Sequence, residues 1–194
     1  MHRLLLVRHG ESAWNALGRW QGWADIPLSE AGEAEAKAAA RRLAESGQRF
    51  DAVASSDLVR ARHTAELLAA CEPAAPHAIE PLLRERNVGQ WSGLTDAEVE
   101  ARWPGLLGQW RANELSQFPG GEHNHEFLAR ILGGLQAVVR HVPAGGTLLV
   151  VTHGGVIRTI EAHLGLAAGR IHNLGGRWFH LDGESLAAGD PAQL

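Results

Sequence analysis

The sequence predicts an α/β fold: a three-layer sandwich with a mainly parallel central sheet and helices on both faces. Three observations carry that prediction. Short, continuously apolar runs recur along the chain, the pattern of strands buried on both faces. Segments with helical spacing and capping signals separate them, as the crossovers between parallel strands require. The chain has 194 residues, 45% hydrophobic and 21% charged, which suffices for one core without disulfide or metal staples.

The elements follow in order. Residues 3–8 (RLLLVR) form a first buried strand. Residues 29–46 form a helix with Ser29 as N-cap and Gly47 as stop. Residues 50–56 (FDAVASS) make a second strand ending in small polar residues, and helical spacing resumes over 57–70. Residues 77–83 can hold a third short strand. Thr95 and Glu98 make a capping box for a short helix that Pro104 ends. Trp103, Leu106, Leu107 and Trp110 mark a further apolar helix. After a turn at 119–122 comes a long amphipathic helix over 125–142, broken at 143–146. Residues 147–153 read as a buried strand, 155–165 as a helix capped by Gly165, and 177–182 as a last strand. The tail from Glu184 has no periodicity and is expected to be irregular. There is no linker and no repeat, so residues 1–194 are read as a single domain.

Composition narrows the chemistry. There is no tyrosine, and Cys71 is the single cysteine, so tyrosyl catalysis, internal disulfides and multi-cysteine metal sites are excluded. Cys71 itself reads as a small residue buried or half-buried at a helix end. Lys37 is the single lysine and lies in AEAKAAA, which leaves no place for a P-loop. Histidine, arginine and carboxylate remain. The net charge is −4, and protonating the 11 histidines would reverse its sign. No polybasic surface points to nucleic acid, no apolar run is long enough for a membrane, and the N-terminal run is too short for a signal peptide. A cytoplasmic protein is expected, and a homodimer is compatible with the sequence.

Two segments are alike. LLLVRHG (4–10) can be laid over LLVVTHG (148–154), and both are buried strands ending in His-Gly. Ligands of open parallel sheets bind at the carboxyl ends of the strands, so His9 and His153 stand where a site belongs. The glycine after each lets the backbone turn and approach a ligand. Arg8, Glu11, Ser12 and Asn15 surround the first histidine, and Arg60 falls in the first turn of the helix after the second strand. An arginine fork beside a helix N-terminus suits a phosphate. On local sequence alone, Arg60 reads equally well as a surface arginine, and Glu85, between Arg84 and Arg86, reads as a surface ion pair.

LLLVRHGESAWN (4–15) resembles the opening motif of the histidine phosphatase superfamily, in its phosphoglycerate-mutase-like branch. The resemblance continues in order through RWQGWADIPLSEAGEAEA (19–36), SSDLVRARHTAE (55–66), LLRERNVGQWSGLT (82–95), PGGE (119–122) and VVTHGGVIR (150–158). It implies that His9 is a nucleophile that becomes phosphohistidine. It implies that Arg8, Arg60 and His153 hold the phosphoryl oxygens with help from Asn15. Glu85 would protonate the leaving oxygen and then activate water, while Gln21, Gly22 and the amide of Gly154 line the substrate side. Ser12, in the same motif, is read as a substrate contact. The chemistry is consistent: a neutral imidazole is a competent nucleophile, and two arginines with a protonated histidine can stabilise a transferring phosphoryl group without metal. No metal and no cofactor are expected, and the partner is a small phosphorylated metabolite.

Other candidates were weighed. Glu122, His123, His125 and Glu126 look like a metal cluster, but they open a helix and read better as a solvated helix start. The resembled family usually has a serine where this chain has His123. Trp14, Trp20 and Trp23 lie around the expected site and can touch substrate, whereas Trp103 and Trp110 read as packing. His63, His141, His163, His172 and His180 are read as having no role. Residues 96–121 contain only Arg102 and Arg111, unlike the basic insertion of phosphoglycerate mutases. The expectation is therefore a phosphomonoester hydrolase resembling the α-ribazole and broad-specificity phosphatases. A cofactor-dependent phosphoglycerate mutase and a non-catalytic phosphate-binding scaffold are the alternatives.

Overall fold

The computed structural model describes residues 1–167 and 169–194, without the side chain of Cys71, so the reading of that cysteine lies outside the described residues. Its centre is a six-stranded sheet in the order β3-β2-β4-β1-β5-β6. The strands are β1 (His2–Arg8), β2 (Ala52–Ser55), β3 (His77–Ile79), β4 (Thr147–Thr152), β5 (Gly175–Asp182) and β6 (Ser185–Gln193). The first four run parallel, while β5 and β6 add antiparallel to the β1 edge.

Strand alternation divides the core into two layers. Leu4, Leu6, Leu148, Val150 and Phe179 face α6 (Asn124–Val138) and α7 (Gly154–His163), where they meet Phe127, Ile131, Leu135 and Ile157. Leu5, Val7, Val53, Leu149 and Val151 face α2 (Glu30–Glu45) and α3 (Val59–Leu68). The α2 face is built from Ala36, Ala39 and Ala40, which let that helix lie close on the sheet. Each buried leucine, isoleucine or valine contributes roughly 1.5–3 kcal/mol.

A third cluster stands apart from the sheet and roofs one end of it. Val88, Trp91, Val99, Leu107 and Phe118 are buried there, with Trp20, Trp103 and Trp110 packed against them. It joins α4 (Asp96–Arg102) and α5 (Leu106–Arg111) to the loops around residues 20 and 90. The predicted Thr95–Glu98 capping box opens α4, and Ser29 caps α2 as expected.

Two expectations are corrected. The tail is not irregular: β6 pairs antiparallel with β5 over most of its length. The outer edge of β5 offers unpaired backbone groups, and pairing is satisfied by main chain whatever the side-chain pattern. Pro191 is tolerated because β6 is itself an edge. The segment 77–83 is a strand only to Ile79, after which Pro81–Leu83 form a 3₁₀ turn, the fixed φ of proline suiting its start. Among the described residues, no helix is long and apolar enough to cross a membrane.

Candidate active site

Register brings the carboxyl ends of three adjacent parallel strands together. Val7 and Ser55 both stand beside Val151, and Arg8 stands beside Thr152. The His9 N–H donates to the Thr152 carbonyl (3.0 Å) and the Ser56 N–H to the Val151 carbonyl (3.0 Å). His9, Ser56 and His153 therefore leave the sheet at one level, all buried, and the two imidazoles meet edge to face with centroids 5.2 Å apart.

The His9 ring has a fixed tautomer. Its Nδ1 lies 2.6 Å from the Gly10 carbonyl, which can only accept, so the proton is on Nδ1. Nε2 carries the free lone pair and receives the Arg60 Nε–H at 3.3 Å. Burial first, then Arg60 and Arg8, push the His9 pKa well below its ordinary value, so the ring is neutral at pH 7. A buried, neutral imidazole with an unprotonated nitrogen has the chemistry a nucleophile needs.

Arg60 is 1% exposed and is held on three sides. Its guanidinium donates to the carbonyls of Ala24 (2.7 Å) and Gly22 (2.8 Å) as well as to His9. Burial lowers its pKa to about 10, which leaves it charged at neutral pH. Arg8 donates to the Ile171 carbonyl at 2.8 Å, and burial lowers its pKa against the opposing pull of Glu85.

His153 is the N-cap residue of α7 and fully buried. Its Nε2 lies 3.0 Å from Ser56 Oγ, while its Nδ1 is buried without a partner. The expectation that this ring is protonated is not met by the protein groups alone. Burial, then Arg60, His9, Arg8 and Arg130, push its pKa well down. Ser56 Oγ already accepts the Leu58 N–H at 3.3 Å, so its own proton is available for Nε2. With Ser56 as the donor in that bond, the imidazole proton would lie on Nδ1, the buried atom without a protein partner.

Glu85 reaches the site from the loop after the 3₁₀ turn. Its Oε2 accepts the Gly155 N–H in the first turn of α7 (3.1 Å), and its Oε1 accepts the Arg86 N–H (2.8 Å). A Cβ at position 155 would stand 2.0 Å from Glu85 Oε1, so glycine there lets Glu85 keep this position.

The remaining expected contacts divide. Asn15 forms a capping box with Ser12 at α1 (Ala13–Ala16), its Oδ1 accepting the Ser12 N–H. Ser12 is fully buried, and its hydroxyl donates to Gln21 Oε1 at 2.8 Å, so it orients Gln21 instead of facing a ligand. Gly22 has a φ of 52° and approaches Val88 closely, and its carbonyl pins Arg60. Gly154 leaves room for the Arg8 side chain, whose Cδ would lie 3.3 Å from a Cβ there. Trp20 belongs to the roof, with Trp91 and Trp110 at 5.0 and 4.8 Å, and not to a substrate platform. Trp23 stays 40% exposed and donates to the Glu85 carbonyl at 2.7 Å. The Glu122–Glu126 segment is not a ligand set: Glu122 turns to Arg130, Glu126 accepts the His123 N–H, and His123 caps α6.

Sequence reasoning missed the supports. Arg130 forms a two-point ion pair with Glu122 (2.8 and 2.9 Å) and donates to the carbonyls of Leu82, Arg84 and Glu85, which fixes the loop carrying Glu85. Thr64 accepts the Gly10 N–H at 3.0 Å and donates to the Arg60 carbonyl, tying the His9 turn to α3. Asn173 donates to the His9 carbonyl at 2.9 Å, and Leu174, at φ 59°, donates its N–H to the Arg8 carbonyl. Of these, Thr64 alone left a signal, one helical turn beyond Arg60 on the same face.

The fold agrees with known proteins. The pattern of the histidine phosphatase superfamily (branch 1) matches residues 4–180, and the chain belongs to that family. Among sequence relatives, a protein of Methylobacterium sp. strain 4-46 named 2,3-bisphosphoglycerate-dependent phosphoglycerate mutase is 39% identical over 165 residues, covering 82% of this chain and 79% of its own. Among solved structures, Bacillus stearothermophilus YhfR superposes with a TM-score of 0.83 at 28% identity, covering 97% of this chain and 95% of its own. A mycobacterial glucosyl-3-phosphoglycerate phosphatase in complex with VO3 gives a TM-score of 0.81 at 31% identity, covering 93% of each chain.

Proposed function

We propose that the protein is a phosphomonoester hydrolase working through a phosphohistidine on His9. The observation that carries this reading is the locked His9 tautomer, with an unprotonated Nε2 that accepts a single long hydrogen bond from buried Arg60. In the first step Nε2 attacks phosphorus in line, and the bond to the leaving oxygen breaks. Arg8, Arg60 and the Nδ1–H of His153 take the charge on the equatorial oxygens. Protonated Glu85 gives its proton to the leaving oxygen. In the second step the Glu85 carboxylate accepts a proton from water as the water oxygen attacks phosphorus, and the N–P bond breaks to restore neutral His9. The nearby cations supply the charge stabilisation that this step needs, so turnover is expected to survive EDTA.

The mutase reading has support in the names of several sequence relatives. The roof speaks against it. Arg111 is spent on Asp96 at 2.8 Å, and Arg102 lies on α4 near Glu98, so the insertion supplies no cluster of cations for a second substrate group. The test is a panel of phosphomonoesters in EDTA, beside a coupled mutase assay with and without 2,3-bisphosphoglycerate. Phosphate release from several esters, with acid-labile label trapped on wild type and absent from His9→Ala, is the expected result. Mutase flux exceeding phosphate release would overturn the hydrolase reading.

A further inference from the structure

The phosphoryl dianion of the proposed reaction is already matched by two fixed cations, Arg8 and Arg60. A third guanidinium stands beside them without an obvious use. Arg158 lies on α7 one turn beyond Gly154 and Gly155, the residues that make room for Arg8 and Glu85. Helical side chains lean toward the N-terminus, so Arg158 leans back toward the end of the helix where the site lies. It is half-buried, and its guanidinium packs on the Trp110 ring of the roof, 5.5 Å from the centroid. Among the described residues no carboxylate pairs with it. Glu161, one turn further along, is committed to Arg177 at 2.7 Å. Arg158 is close enough to Arg8 for its charge to help lower the Arg8 pKa.

A half-buried cation repelled by its neighbours and lacking an internal acceptor is a poor choice for stability alone. It is well placed for a ligand that brings a further negative charge. The Trp110 ring supports the guanidinium from one side, and a guanidinium fork suits a planar or tetrahedral oxyanion. The position also fits the geometry: Glu85, the group assigned to the leaving oxygen, is held by the Gly155 N–H in the first turn of α7, one turn before Arg158.

We infer that Arg158, seated on Trp110, forms a second anion subsite for an acidic group, carboxylate or phosphate, carried by the leaving group of the substrate. This rests on the phosphohistidine reading of the site. It places the specificity cation on α7 rather than in the segment over 96–121, where Arg111 pairs with Asp96.

Three matched probes test it: 3-hydroxypropyl phosphate, 3-phosphooxypropanoate and propane-1,3-diol bisphosphate. They differ only in the distal group. Wild type is expected to favour at least one acidic probe over the hydroxyl probe by about tenfold or more in kcat/KM, the worth of one charge-assisted hydrogen bond. Which acidic probe wins distinguishes carboxylate from phosphate. In Arg158→Gln that preference is expected to fall to within about twofold of parity, with Arg158→Lys in between. A ratio taken within one variant is independent of how much of it is folded. Equal preference in wild type and Arg158→Gln, or no acidic preference in wild type, overturns the subsite. If no probe is turned over, the hydrolase reading fails instead. The subsite is then read from the dissociation constants of the three compounds by calorimetry, with the same expected and overturning ratios.

Discussion

The two strand ends that look interchangeable in sequence do different work in the structure. After β1 the chain turns at Gly10, whose carbonyl takes the His9 Nδ1–H and whose N–H is held by Thr64. The ring is thereby set with Nε2 unprotonated and facing Arg60. After β4 the chain enters a ten-residue helix at once, and His153 is its N-cap residue. Ser56 holds its Nε2, and Nδ1 is left as the donor. In the proposed reaction one strand end supplies the nucleophile and the other a hydrogen-bond donor for the charge that develops. What separates them is which ring nitrogen each neighbourhood occupies. That is a property of residues far away in sequence, and not of the His-Gly pair itself.

Removing each histidine breaks the comparison most directly. His9→Ala is expected to lose about 10⁴-fold or more in kcat, as nucleophile deletions do. His153→Ala is expected to lose about 10²–10³-fold, the scale of one oxyanion donor. Rapid-quench labelling should still find phosphohistidine in His153→Ala and none in His9→Ala. Equal losses would put the two rings in equivalent roles.

Gly155→Ala tests the helix that only the second strand end feeds. The new methyl would displace Glu85, and about a 10²-fold loss is expected with an alkyl phosphate. p-Nitrophenyl phosphate, whose leaving group needs little protonation, should lose much less. A uniform loss on both substrates would mean that the change disturbs the fold and not the proton donor.

Ser56→Ala sharpens the tautomer argument. Losing the bond to Nε2 lets His153 exchange its proton between nitrogens, and about a tenfold fall in kcat/KM is expected, with a shifted acid limb of the pH profile. Ser56→Thr keeps the hydroxyl and should restore most of the rate. An unmoved profile in Ser56→Ala would show that Ser56 only fills space.

The smallest effect is on stability. Both histidines are buried with pKa values depressed below the ordinary 6.5, so the unfolded chain binds protons that the folded chain refuses. Stability is therefore full above about pH 6.5 and is lost as pH falls below it, by up to about 1.4 kcal/mol per pH unit for each ring. Urea midpoints at pH 7 and pH 5 should separate more in wild type than in His153→Asn. Equal separations would mean that His153 is not held neutral.

Much of the fold was legible because it rests on local pattern. The runs at β1, β2 and β4, the Ser29 cap and the Thr95–Glu98 box are written in adjacent residues. The last strand was not legible, because an edge strand is recruited by the open backbone of β5 and not by its own side chains. That His9, Arg60, His153 and Glu85 come together was legible from motif order. Their supports were not: Arg130, Thr64 and Asn173 sit 45, 54 and 164 positions from the groups they hold.

The sequence by itself determined the layers of the sandwich and the exclusion of tyrosyl catalysis, internal disulfides, multi-cysteine metal sites and a P-loop. Period, capping and composition are local quantities and need no partner. Tertiary structure alone decided that Ser12 serves Gln21, that Trp20 belongs to the roof, and which nitrogen of each histidine is free. Those are questions of hydrogen-bond partners, and the partners meet only when three strand ends are brought to one level by the register of the sheet.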